Sequence, residues 1–370
     1  METPQEKLSS IITAEKSSEV LLLVSTNKGG FIYYSDEKRK NWEVNGPYLL
    51  GSIVHHMILD YRDNKTILMA AQTREHASCI FKSTDFGMTW NPVEFPITLI
   101  NKKKINHIFR ITPGHASEPN VWYAGTSPQG LFKSEDFGDS WKEVEPLSEK
   151  INTIKTNEHH LDYKYEKVHS IFIDLKDKNI ITIAMTKGGV YRSYDYGISW
   201  SSISDDNNKK SYILIQHPFD SSILYQQNKS GIYKYKLNEK KWIHIGKEID
   251  VGDEGFALAI HPKEKETIWS FPMEGADIWS RVCTGGQPAV YCTKDAGKSW
   301  YRQDIGFPIW HAWFTVMSKG LAVDNLETCG LYLGTTGGSI WLSENEGNSW
   351  RQIVAHLPKV YSIETGYINK

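Results

Sequence analysis

The sequence has little cysteine and no surplus of either charge. Four cysteines are spread over 370 residues, and 42 Lys and Arg stand against 44 Asp and Glu. The resulting net charge of −2 excludes the basic excess with which a nucleic-acid-coating protein neutralises phosphates. Cys79, Cys283, Cys292 and Cys329 form no CxxC pair, and a chain this long can bury its own core, so they read as free thiols. No apolar run reaches the ~18 residues of a membrane helix. Residues 1–20 hold Glu2, Glu6, Glu15 and Glu19 with no apolar centre, unlike a secretory signal. The expectation is a cytoplasmic protein without nucleic-acid or membrane partners, with residues 1–18 a flexible lead-in to a single domain over 1–370. Glycine-rich nucleotide loops, a GxSxG elbow and HExxH are all missing.

What the sequence has in quantity is aromatics and glycine: 13 Trp, 19 Tyr and 28 Gly, which suit many short strands joined by tight turns. They fall in a repeat. Ser83-Thr-Asp85-Phe-Gly87-Met-Thr-Trp90 recurs around Asp136 and Trp141, Asp195 and Trp200, Asp295 and Trp300, and, with Asn345 for Asp, before Trp350. Worn copies leave Ser35 seven residues before Trp42 and Tyr235 seven before Trp242. The seven tryptophans are separated by 48, 51, 59, 42, 58 and 50 residues.

Each copy lies between strand-like runs. The fourth unit reads as strand A at 168–173, B at 180–185, C at 189–193 and D at 200–203. Four short antiparallel strands per ~50 residues make a propeller blade. Seven units predict an all-β, seven-bladed β-propeller. The first unit lacks strand A, and one spare run follows the last box at 359–367, so the C-terminal strand is expected to complete blade one and close the ring.

The boxes and most A–B turns are short and alike, whereas the B–C and D–A connections vary in length. That face should carry function, around the channel mouth. His55 or His56, His107 and His169 begin the inner strands of blades two, three and four. Three imidazoles converging with an open position would hold a divalent metal such as Zn, Mn, Fe or Cu. Gln227, Glu254, Glu274, Asp277 and Arg281 fall on the same rim as candidates for handling substrate, with Trp279, Trp310, His311 and Trp313 as aromatic surface. Carboxylates beside aromatics also suit sugar binding and glycoside hydrolysis.

The pattern S-x-D-x-G-x-[ST]-W resembles the BNR/Asp-box repeat of sialidases, xyloglucanase-like glycosidases, sortilin-type receptors and photosystem assembly factors. Ala124 to Ser134, Leu224 to Asn228 and Gly330 to Gly338 are similar to a bacterial single-domain family labelled sialidase-like or exo-alpha-sialidase. A true sialidase is not expected. The Arg-Ile-Pro element that sialidases share is met only by Arg110-Ile111-Thr112, and those enzymes have six blades. Some seven-bladed polysaccharide lyases, similar in architecture, hold a metal with channel histidines. The resemblance therefore implies a metal-dependent lyase or hydrolase acting on a small-molecule or carbohydrate substrate. The alternatives are a metal-free glycoside hydrolase with paired carboxylates, or a non-catalytic propeller binding a glycan or protein.

Overall fold

In the computed structural model, residues 19–152, 166–205, 210–274 and 281–368 are described. They form seven antiparallel sheets of four strands each. The innermost strands, A, are Ile53–Leu59 in blade two, His107–Pro113 in blade three, Val168–Ile173 in blade four, Ile213–Gln216 in blade five, Gly255–Ile260 in blade six and Leu321–Val323 in blade seven. Blade one takes its inner strand from the C-terminus. Val360–Ile368 pairs with Glu19–Thr26, joining Glu19 to Ile368 and Val24 to Ile363, so the ring is closed as expected.

The core lies between blades as much as within them. Leu21, Leu23 and Ile32 of blade one pack with Met57, Ile67 and Met69 of blade two. On the opposite face of blade one, Val20, Leu22 and Val24 meet Tyr332, Ile340 and Leu342 of blade seven. Residues 20–24 are fully buried because both faces of this strand are covered, which is why they read as an unbroken apolar run rather than an alternating one. All four cysteines are buried free thiols. Glu145–Asn152, in the D–A connection between blades three and four, is an α-helix with Pro146 in its first turn and Leu147 buried.

The box turns are self-contained. In blade three, Ser140 donates to Asp136 through its N–H at 2.9 Å and its hydroxyl at 2.6 Å. Ser134 Oγ bonds Asp136 at 2.8 Å, and Trp141 Nε1 donates to the Gly138 carbonyl at 3.1 Å. Phe137 and Gly138 stand at φ 61° and 86°, and only the second is a residue without a Cβ. Asn345 takes the Asp role, its Oδ1 accepting from Ser349 N at 2.9 Å. In blade six, the Ser299 hydroxyl leads the hydrogen bonds that hold Asp295 down to about 2. Asp136→Ala is expected to cost roughly 1–3 kcal/mol, read as a lowered urea midpoint, because two donors and a seryl hydroxyl lose their acceptor. A midpoint equal to wild type would show that the box does not hold its turn.

Candidate functional site

The channel mouth is shaped by a bulge repeated around the ring. Pairing between strands A and B skips one residue of strand A at His55, Phe109, His169 and Phe256 in blades two, three, four and six. In blade one it skips Tyr361. A bulge leaves one residue unpaired and re-aims it. These positions therefore supply a belt of rings: His55 lies 5.6 Å from Tyr361, and Phe256 lies 5.1 Å from Tyr212. His169 shares its register with His55, whereas His107 sits two residues before the bulge of its strand. Simple alternation along strand A could not show this.

The offset sets how these rings meet. His55 stacks on His107, centroids 4.4 Å apart at 20°, and its Nε2 is 3.0 Å from Gln72 Oε1. His169 is buried, with Nε2 donating to the Ser211 carbonyl at 3.0 Å and Nδ1 2.9 Å from Ser170 Oγ. His56, fully buried, directs Nε2 to Glu364 Oε1 at 3.0 Å while the Ile111 N–H faces its Nδ1 at 3.4 Å. Among the described residues, no three of these rings bring ligating nitrogens within 4.8 Å of one another. The four histidines do not fit the expected three-imidazole centre. They are neutral packing and hydrogen-bonding groups, because burial pushes His55 and His56 down to about 4 and His169 down to about 3.

One histidine–carboxylate cluster does gather within that distance, on the opposite face: His261, Glu264 and Glu346. Its tautomer argues against a metal. His261 Nδ1 accepts from the N–H groups of Lys263 at 3.0 Å and Glu264 at 2.8 Å, so the ring proton stands on Nε2, 3.7 Å from Glu346.

Past the bulges, an ion cluster closes the channel wall. Arg110 Nη1 and His56 Nε2 converge on one oxygen, Glu364 Oε1. Burial would raise the Glu364 carboxyl, but the Arg110 guanidinium and the His56 hydrogen bond hold it well below the carboxylate range. Two lysines lie near the cluster, and both their charges bear on the buried His169. Lys167 Nζ stands 3.7 Å over the Phe109 ring, and Lys319 pairs its backbone with Ser362 beside blade one's inner strand. Sequence reasoning missed Lys167, Lys319 and Glu364. Their only signal was position, at or just before inner strands.

The second region is the rim of blades six and seven. Gln227 is fully buried and spends its amide on Asp253 O and Ser270 Oγ, both at 3.0 Å, so it positions strands rather than substrate. Glu254 is half-buried, and its backbone carbonyl accepts from Met273 N at 2.9 Å, next to exposed Glu274. Arg281 lies 4.4 Å over the Phe256 ring and donates to Tyr212 OH at 3.3 Å. Asp277 and Trp279 fall outside the described residues. Glu274 Oε1 accepts the Gly285 N–H at 3.3 Å. A Cβ at Gly286, at φ 67°, would come within 3.0 Å of the Trp313 ring, so that indole lies directly over the glycine. Trp313 is nonetheless 57% exposed and Trp310 66%. Trp310 edges a cleft of about 220 Å³ with Gln287, Arg302 and Asp304.

Comparison with known proteins agrees with this architecture. The BNR-Asp box repeat family matches residues 131–144. An oligoxyloglucan-reducing end-specific xyloglucanase of Emericella nidulans is 22% identical over 153 residues, 38% of this chain and 17% of that protein. The GH74 xyloglucanase structure from Xanthomonas campestris superposes with a TM-score of 0.66 at 16% identity, over 92% of this chain and 53% of that one. The GH74 enzyme from Niastella koreensis gives 0.63 at 17%, over 89% and 51%. YCF48 bound to D1 peptide gives 0.54 at 13%, over 92% and 86%. The chain thus spans about half the length of the xyloglucanase structures. Repeat, blade count and neighbours agree: the chain is a seven-bladed β-propeller built on BNR-Asp box repeats.

Proposed function

We propose that the protein is a glycoside hydrolase-like propeller that binds a neutral oligosaccharide on the rim of blades six and seven. The observation that carries this reading is Trp313, held over Gly286 and still more than half exposed, with Glu274 anchored on the adjacent Gly285. A pinned, open indole offers a flat apolar face to a sugar ring without ordering cost. Glu274, with Glu254 beside it in the blade, supplies the two carboxyl groups that glycoside cleavage requires, one donating a proton to the leaving oxygen and one activating water or attacking the sugar. The similarity to xyloglucanases supports the substrate class.

Titration with xyloglucan and cellulose oligosaccharides, followed by tryptophan fluorescence and by reducing-end release, tests both halves. Trp313→Ala should weaken binding roughly 10-fold or more while leaving the fold intact, as expected for an exposed aromatic anchor. Glu274→Gln should keep binding and abolish release. Absence of both quenching and release with wild type would overturn the reading. Binding without release would leave a lectin-like propeller and remove the catalytic assignment.

A further inference from the structure

The channel holds more positive charge than its own residues balance. Arg110 and Glu364 neutralise one another. Among the described residues, neither Lys167 nor Lys319 is ion-paired within 4.0 Å; Lys319 shares the Glu364 charge with Arg110 at longer range, and Lys167 lies over the Phe109 ring. Both are half-buried. Burial alone pushes Lys167 down to about 8, and burial followed by the Arg110 charge pushes Lys319 down to about 7. The four nearby imidazoles are neutral and offer no counter-charge.

Arg110 is also unspent. It is 7% exposed, and its Nε–H is buried with no acceptor. Only Nη1 is engaged, on Glu364 and beside His56. A buried donor left open costs free energy, and half-buried ammonium groups with no close ion pair of their own cost more. Arg110, Lys167 and Lys319, from blades three, four and seven, all lie close enough to bear on the buried His169 imidazole, and the Glu364 carboxylate is set against Arg110 and Lys319.

We propose that the channel mouth binds a small oxyanion, a carboxylate- or phosphate-bearing molecule, between Lys319, Lys167 and the free edge of the Arg110 guanidinium. This site is separate from the tryptophan rim and does not depend on the sugar reading. The anion supplies the missing negative charge and accepts the unspent N–H groups, as charge-assisted hydrogen bonds do. Tyr361, Phe109 and the His55–His107 stack wall the entrance, which limits the occupant to a small molecule or the tip of a larger one.

The test is isothermal titration and thermal unfolding of the full chain with inorganic phosphate and, separately, succinate, against chloride at matched ionic strength. Saturable binding at one site per chain, with a raised midpoint, is expected for at least one of the two, and which one distinguishes phosphate from carboxylate recognition. Lys319→Met should weaken it roughly 10-fold or more through one lost charge-assisted contact, and Lys167→Met likewise. Lys104→Gln, an exposed lysine beside the neighbouring cleft, should leave it unchanged. Without anion, Lys319→Met should unfold at or above the wild-type midpoint, since a desolvated cation repelled by Arg110 more than it is held by Glu364 has been removed. If that variant fails to fold, the wild-type comparison with chloride and the Lys167→Met titration still decide. No binding of either anion, or equal binding in both lysine variants, would overturn the proposal.

Discussion

A chain ending at residue 357 is expected not to reach the folded ring. The segment removed contains the whole inner strand of blade one, Val360–Ile368, paired along all of Glu19–Thr26. Its loss takes Val360 and Ile363, both at most 1% exposed, out of the core and uncovers one edge of a strand whose residues 20–24 are fully buried. It also strips Arg110 and His56 of the Glu364 carboxylate. A propeller avoids edge-to-edge association by closing its ring, so the truncated protein should be both unfolded and prone to aggregate. The loss should exceed a typical net stability of roughly 5–15 kcal/mol. Circular dichroism and gel filtration read it directly, and adding the excised segment as a peptide should restore part of the signal. A cooperative melt at the wild-type midpoint would show that the closing strand is dispensable.

The ring and its closure were legible because they are written in local chemistry. A box needs Ser, Asp, Gly and Trp at fixed offsets to satisfy its own turn, so seven frames count seven blades. The strands between them announce themselves by β-branched and aromatic runs, and blade four was read to within a residue or two of its observed limits. The channel was legible only in its residue types. His55, His107 and His169 were recognised as inner-strand residues, but their convergence assumed strict alternation. The bulge at His55, Phe109 and His169 shifts His107 out of step with the other two, and a bulge is set by pairing with strand B rather than by its own sequence. Glu364 was invisible for a related reason. It meets Arg110 and His56 across 254 and 308 residues, a contact that exists only once the last strand joins the first blade.

That contact gives the second large effect. Glu364→Ala should destabilise the protein by about 3–5 kcal/mol at pH 7, because it leaves the Arg110 guanidinium buried without its counter-ion. Glu364→Gln keeps an oxygen for His56 and should cost less. Combining Arg110→Met with Glu364→Leu should recover much of the loss, since a well-packed apolar pair replaces a desolvated ionic one. The pH dependence separates the ion pair from packing. Glu364 has its carboxyl held well below the usual range, so its contribution is fully present above the unfolded value of about 4.3 and is lost as pH falls below it. The stability gap between wild type and Glu364→Gln should therefore be constant from pH 7 to about 5 and narrow below about 4.3. The neutral histidines act earlier. His55 and His169, lowered to about 4 and about 3, bind protons in the unfolded chain from about 6.5 downward, so both proteins should lose stability together from that pH. Urea unfolding at half-unit pH steps resolves the two limbs. A gap that stays constant down to pH 3 would mean that Glu364 is held by shape and not by its charge.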